Sequence, residues 1–336
     1  MPSPSLSLIV TDAAAAGCIA RARERDSVLA RIAGQGRLSC VFADRQPSHA
    51  ALARWQRALL EAVGLDAERD RLPSAAVTRA GEAGVRPEEH ECWALLECVH
   101  FAAGLNDMAG VVLSGAAVLD AEQREALAET LASQLREVGY ELVATRGPQW
   151  LVRCPRHLDA RTLPPTEAFD GPLQDALPSG TDAAELRRLM TELQMVLHEH
   201  PVNQRRARAG LPGANSAWIW SVAALTSVPT ATRLPIAFGA APYLKGLYLL
   251  HSQSVSSAEF DPALARSAAR DPHPVVALIE SDESFERTYL EPALAMLRRG
   301  VFGRLMVYLD RWKLELRRRD LLRLWRGALP FDRWPA

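Results

Sequence analysis

Leu189 to Trp220 reads LMTELQMVLHEHPVNQRRARAGLPGANSAWIW, and its order of helix, polar cluster and apolar strand decides how the rest of the chain is read. Just upstream, Asp182 with Glu185 three residues on has the form of a capping box, in which the first side chain satisfies a free backbone N–H and the second reaches back to do the same. Leu186, Leu189, Leu193, Val196 and Leu197 then recur at the helical period, as on an element packed against a core. Pro201 has no N–H and disfavours helical geometry in the residue before it, so the helix is expected to stop near His200. His198, His200 and Asn203, followed by Arg205, Arg206 and Arg208, are therefore expected in a loop. Gly210 and Pro212-Gly213 turn that loop toward Asn215 and the strand Trp218-Ile219-Trp220. A loop of donors held between two rigid elements suits an anion or a polar ligand. The same residues have a structural role open to them, because His and Arg near a helix C-terminus complement its dipole and cap its carbonyls.

A chain of 336 residues can bury a sizeable core, as one large α/β domain or two smaller ones. Its net charge of −1 gives no global excess of cation for phosphates, which argues against a general nucleic-acid binder. The five cysteines, Cys18, Cys40, Cys92, Cys98 and Cys154, form no Cys-x-x-Cys, so neither a structural zinc nor a disulfide framework is expected. A reducing cytoplasm fits that usage. The first residues carry no basic segment before their short apolar run, and no stretch reaches the roughly 18 apolar residues of a membrane span, so neither secretion nor membrane insertion is expected.

Read in order, Leu6 to Thr11 is a strand ending at Asp12, and such strand ends in α/β chains gather ligand carboxylates. Ser27 to Gly36 is expected as a helix, Leu38 to Phe42 as a strand, and Pro47 to Leu65 as an amphipathic helix. Arg71 to Pro87 looks like a surface connection. Glu91 to Gly115 alternates apolar runs around a turn at Gly104 to Asp107. Asp120 to Val138 is a helix capped by Asp120 and Gln123, and Tyr140 to Thr145 with Gln149 to Arg153 forms a hairpin-like pair around Gly147-Pro148. Leu163 to Gly180, with four prolines, reads as a linker. Further on, Val275 to Ile279 and Leu305 to Leu309 read as strands, with a helix from Ser284 to Arg299 bent or begun at Pro292. Arg317, Arg318, Arg319, Arg323 and Arg326 surround Leu321, Leu322, Leu324 and Trp325 in a basic amphipathic segment.

The run His200-Pro-Val-Asn-x-x-Arg206-x-x-x-Gly210-x-Pro-x-Ala-Asn215, followed by Ala-Trp-Ile-Trp, resembles a stretch of the archaeal-type cofactor-independent phosphoglycerate mutases of the alkaline-phosphatase superfamily. The wider layout of CVHFAAGLNDM, GPQWLVRCP and LQMVLHEHPVN resembles a proteobacterial branch known as regulatory proteins of RpfE type. The mutase resemblance implies an alkaline-phosphatase-like, mostly parallel sheet core flanked by helices, spanning residues 1–86 and 163–336, with a smaller α+β subdomain inserted at 87–162. It also implies two divalent metals around a nucleophilic serine. Their first aspartate would be Asp12, but Ala13 to Ala16 erase the rest of its pattern. Asp282 survives from a later pattern whose histidine is Glu286 here, and Asp310 stands where an Asp-His pair would, with Arg311 in place of the histidine. Two bridged metals need several carboxylate and imidazole ligands at close range, about 4 Å apart.

The chain is therefore expected to be a metal-free, non-catalytic member of that group, a pseudoenzyme of the cytoplasm with no cofactor and no catalytic residues. Asp12, Asp282 and Asp310 would be vestigial metal positions. His200, Asn203, Arg206 and Asn215 would bind a phosphorylated or carboxylate small molecule, with a protein partner as a further expectation and no nucleic acid or membrane. Two alternatives stand beside this reading: a metal-dependent phosphotransferase or phosphoglycerate mutase, and a scaffold that uses the basic C-terminal segment.

Overall fold

The computed structural model describes residues 4–42, 47–67, 69–70, 72–103, 108–143, 149–230, 233–269, 273–323 and 325–335. The chain divides into two compact units, one from residues 1–44, 54–67 and 230–336 and the other from 45–53 and 68–229. In chain order the first unit contributes β1 (Ser5–Val10), α1 (Asp12–Arg23), α2 (Val28–Gln35), β2 (Arg37–Cys40) and α3 (Arg54–Val63). The second unit follows with α4 (Ser74–Ala83), β3 (Cys92–Ala103), β4 (Met108–Val112), α5 (Ala121–Glu137), β5 (Glu141–Val143) and β6 (Trp150–Arg153). It continues through the short helices α6 (Pro165–Ala168) and α7 (Leu173–Ala176) to α8 (Ala183–His198), α9 (Pro201–Arg208) and β7 (Ser216–Ala224). The chain then returns to the first unit with β8 (Ile236–Phe238), α10 (Pro242–Leu250), α11 (Pro262–Ala268), β9 (Val275–Ile279), α12 (Glu291–Arg298), β10 (Arg304–Leu309) and β11 (Trp312–Arg317).

The first unit is a mixed α/β layer structure around a six-stranded sheet of order β2-β11-β10-β1-β9-β8. β10, β1, β9 and β8 are parallel, with β8 at one edge, and β11 and β2 add antiparallel pairings at the other side. Interior parallel strands are covered on both faces, which is why β1 and β9 are buried along nearly their whole length and mostly apolar. Leu6, Leu8 and Val10 share one core with Cys18, Ile32, Leu294 and Leu297 from the surrounding helices. On the opposite face the Tyr308 hydroxyl donates to Glu61 Oε1 of α3 at 3.2 Å. The helix expected from Ser284 is present in two parts: a π-helical turn (Glu286–Leu290) runs into α12, with Pro292 near the junction. A proline cannot donate its intrahelical bond, and a widened turn beside it accommodates the loss.

The second unit is antiparallel. β3 pairs with β7 on one side and with β6 and β4 on the other, and β5 pairs with β6. A bulge lies where Trp93 and Leu95 oppose Ala223 and Trp220. There Ser221 adopts φ 55°, its hydroxyl donating to Ala50 O at 2.8 Å and accepting from Ala75 N at 3.0 Å. The helix α5 starts at Asp120 as the sequence indicates, its side chain accepting from Gln123 N at 2.8 Å.

Several boundaries differ from expectation. Residues 163–229 belong to the same unit as 87–162, because β7 pairs along β3 from Val99↔Ser216 to Cys92↔Ala224. The stretch read as a linker is packed: Leu163, Ala168 and Ala176 are buried in it, and Arg161 and Ser179 bridge its ends. The surface connection of Arg71 to Pro87 contains α4, with Ala75, Ala76, Val77 and Ala80 buried; small residues let this helix approach β3 closely without the large apolar stripe that betrays a packed helix. The helix expected from Pro47 begins only at Arg54. The turns at Gly104 to Asp107 and at Gly147-Pro148 lie outside the described residues, as do Arg71, Thr145 and Leu324.

Candidate functional site

The polar cluster that follows α8 is helical. His200 caps α9, its Nδ1 accepting from Val202 N at 3.2 Å, and Pro201 occupies the first helical position, where a missing N–H costs nothing. Because Nδ1 accepts, the ring proton sits on Nε2, which is 3.1 Å from Thr130 Oγ1. Burial, and secondarily the charge of Arg205, hold the His200 pKa below its ordinary value. The helix ends in a Schellman arrangement: Leu211 N donates to Arg206 O at 2.9 Å, Gly210 N to Ala207 O at 3.1 Å, and Gly210 takes the left-handed φ of 71°. The capping box expected at Asp182 is not formed. Asp182 instead accepts from Asp159 N at 2.7 Å and Arg156 Nη2 at 3.0 Å, while Glu185 accepts from Tyr140 Oη at 2.8 Å.

From Pro212 to Asn215, four consecutive residues are tied down by side chains. Arg206, 1% exposed, donates from Nε to Pro212 O at 2.8 Å, from Nη1 to Gln123 Oε1 at 2.6 Å and from Nη2 to Ala117 O at 2.5 Å. His100 Nδ1 lies 2.9 Å from Gly213 O. Asn203 accepts from Ala214 N at 2.7 Å and donates to Ala214 O at 3.0 Å and to Leu197 O at 2.7 Å. Asn215 accepts from Phe101 N at 2.7 Å and donates to Phe101 O at 2.9 Å, so its side-chain amide continues the β3–β7 ladder one step past its last backbone pair. Each side-chain nitrogen and oxygen of His200, Asn203, Arg206 and Asn215 thus has an intrachain partner. His100 and Gln123 complete this network, and neither carries a local sequence signal for it.

Asp12, Asp282 and Asp310 belong to the first unit and follow three neighbouring parallel strands, β1, β9 and β10, whose last residues Val10, Ile279 and Leu309 are in register. All three therefore stand at one carboxyl edge, where α/β folds place their ligands. Asp12 opens α1. Asp282 is exposed and lies directly over Gly17, where an added Cβ would come within 1.6 Å of its Oδ2. Asp310, at φ 51°, accepts from Arg54 Nη1 at 2.6 Å, and Arg311 Nε is 3.6 Å from its other oxygen. Arg54 is 3% exposed and comes from α3, 256 residues away in sequence, so the sequence reading missed it. Glu286 caps α2, accepting from Ser27 Oγ at 2.7 Å and Leu29 N at 3.0 Å. Arg311 places its guanidinium 5.5 Å from the centre of the Trp312 ring. Between these acids the Cys18 thiol is pushed up to about 12 by burial, with Asp282 and Glu286 adding to the effect. Among the described residues no three His, Cys, Asp or Glu side chains converge as a metal-binding group, and this edge does not fit a two-metal centre.

A separate cleft of about 440 Å³ opens at the opposite edge of the same sheet, lined by Glu61, Arg233, His273, Arg304, Tyr308 and Lys313 among others. Two of its cations are already paired, Lys313 with Glu61 and Arg304 with Glu315.

The family model for 2,3-bisphosphoglycerate-independent phosphoglycerate mutase matches residues 83–203, so this part of the chain is related to those enzymes. A 2,3-bisphosphoglycerate-independent phosphoglycerate mutase of Methanothrix thermoacetophila is 41% identical over 71 residues, 21% of this chain and 18% of that protein. One from Methanosarcina acetivorans is 31% identical over 104 residues, 30% of this chain and 26% of that protein. The matches thus span less than a third of these relatives' own length. Among solved structures, the cofactor-independent phosphoglycerate mutase of Thermoplasma acidophilum aligns over 94% of this chain and 89% of its own, with 16% identity and a TM-score of 0.39. Among the described residues no helix is long and apolar enough to cross a membrane.

Proposed function

We propose that this chain is a non-catalytic relative of the phosphoglycerate mutases, a regulatory protein of a reducing cytoplasm that acts by binding and not by turnover. The observation that carries the reading is the Arg54 guanidinium 2.6 Å from Asp310, at the strand end where the resemblance places a metal ligand. A fixed positive charge about 4 Å away opposes an incoming cation by about 4 kcal/mol per elementary charge at an effective dielectric of about 20. Glu286 supports the same reading, since the position of an expected histidine is spent on capping α2. The run from His200 to Asn215 enters this proposal as architecture. His200, Asn203, Arg206 and Asn215 hold the end of β7 in place, and each of their side-chain nitrogens already has an intrachain partner.

Metal analysis of protein purified without chelator, run beside an assay for phosphoglycerate interconversion, tests the proposal. The expected result is neither stoichiometric divalent metal nor turnover. Tightly held metal together with interconversion overturns it.

One observation favours a protein partner for the C-terminal segment. Leu322 and Trp325 are 71% and 79% exposed, with Arg318, Arg319 and Arg326 also exposed nearby in sequence. An exposed apolar anchor with cations nearby in sequence suits an acidic surface. Retention of the full chain on an immobilised acidic peptide, lost on Trp325→Ala and at high salt, is the expected result.

A further inference from the structure

We propose that Cys92 and Cys154 form a paired-thiol site for two-electron oxidation, closing a reversible disulfide beside the β3–β6 ladder when the protein meets a peroxide. The register Trp93↔Arg153 places Cys92 directly opposite Cys154, and Cys154 N donates to Cys92 O at 2.9 Å. Directly opposed residues in such a hydrogen-bonded pair have Cα atoms about 5.5 Å apart, within the roughly 4.4–6.8 Å that a disulfide spans. Opposed residues also point to the same face, which puts the two thiols side by side.

The surroundings make the two sulfurs unequal. Cys92 is held below the usual thiol range by the Cys154 hydrogen bond, with the Leu158 N–H and the Arg156 charge adding to this against the cost of burial. Cys154 is pushed the other way by the same hydrogen bond, by burial and by Glu185. One sulfur is thus set up to attack and the other keeps its proton until needed. By contrast, Cys18 and Cys98 are both pushed up to about 12 by burial.

The chemistry balances with a peroxide as the oxidant. The Cys92 thiolate attacks one peroxide oxygen and the O–O bond breaks, giving a sulfenic acid and a hydroxide that takes up the proton Cys92 had lost. The Cys154 sulfur then attacks the Cys92 sulfur, the S–O bond breaks, and the departing hydroxyl leaves as water with the Cys154 proton. Two thiols lose two electrons and hydrogen peroxide becomes two waters. Cys92 and Cys154 are 1% and 8% exposed, so access favours an oxidant close to water in size. Transient disulfides of this kind are the sort that a reducing compartment uses for sensing.

The test treats the folded full chain with hydrogen peroxide. The expected result is an intact mass lower by two hydrogen atoms, a Cys92–Cys154 cross-linked peptide, and a melting temperature raised by several degrees, because the closed loop restricts the unfolded chain. Dithiothreitol should reverse all three. No lysine or arginine separates Cys92 from Cys98, so fragment ions must show which of the two is linked. Cys154→Ser should abolish the product and Cys40→Ser should leave it. If either variant fails to fold, peptide mapping of the unaltered protein still decides. Peroxide that leaves both thiols free, links either to another cysteine, or links them only in unfolded protein overturns the proposal.

Discussion

Arg206 Nη2 donates to the carbonyl of Ala117, 89 residues earlier in the chain, at 2.5 Å. With Pro212 O and Gln123 Oε1 as its other acceptors, the guanidinium is a buried hub whose three acceptors are all neutral. Removing it strands those acceptors at a cost of about 2–4 kcal/mol. Arg206→Gln is therefore expected to lower the melting temperature by several degrees. Arg206→Lys should lower it nearly as far, because an ammonium cannot reproduce the fork. Calorimetry of both variants, with and without phosphoglycerate, checks this; a Gln variant as stable as the parent would return Arg206 to the role of a residue waiting for ligand.

Asn215 holds both backbone groups of Phe101, so the two halves of its amide have separable effects. Asn215→Asp keeps the acceptor for Phe101 N but turns a carboxylate oxygen toward Phe101 O. The variant is expected to lose about 1–3 kcal/mol at neutral pH and to recover part of it on acidification, as the new carboxyl gains a proton to donate. Denaturant midpoints at neutral and mildly acidic pH measure the recovery, and a pH-independent gap from the parent contradicts it.

The depressed pKa of His200 gives a second pH signature. The unfolded chain takes up the imidazole proton first, so the stabilising contribution is complete above the ordinary His value of about 6.5 and is lost as pH falls through the lower folded value. Protonation also places a hydrogen on Nδ1, where it opposes the N–H of Val202 and undoes the cap. Thermal melts from pH 7.5 downward should show His200→Asn with a shallower fall than the parent below about pH 6.5.

At the sheet edge, Asp310→Asn should destabilise by about 2–3 kcal/mol, since Arg54 is 3% exposed and loses its charged partner; Asp310 itself is 22% exposed, which keeps the cost below that of a fully buried pair. Pairing that change with Arg54→Leu should cost clearly less than the sum of the two single changes. A urea double-mutant cycle reads the coupling, and strict additivity removes the charge pair from the proposal for this edge.

What could be read without coordinates was whatever a single face or period enforces. β1, β9 and β10 are legible because strands covered on both sides become predominantly apolar runs, and α5 because Asp120 caps it in a common way. The helix α9 was hidden by its cap, since histidine is not among the usual capping residues and Pro201 reads equally well as a stop or a start. Asp182 and Glu185 have the spacing of a capping box, yet stronger partners at Asp159, Arg156 and Tyr140 claim both. Arg54 was illegible for a different reason: its partner lies at the far end of the chain, and nothing in the residues around it announces a buried cation.

The strand order also fixes a timetable. β1 is paired on both sides with strands synthesised some 270 to 300 residues after it, Leu6 lying beside Val275 and Leu305. The second unit is nearly contiguous and is fully synthesised by residue 229. During translation that unit is complete while the opening strand of the other still has both edges bare, and closing the parallel sheet across some 300 residues is the late, slow step. While β1 waits for these partners, its bare edges are a template for wrong pairing, the kind of surface that chaperones cover.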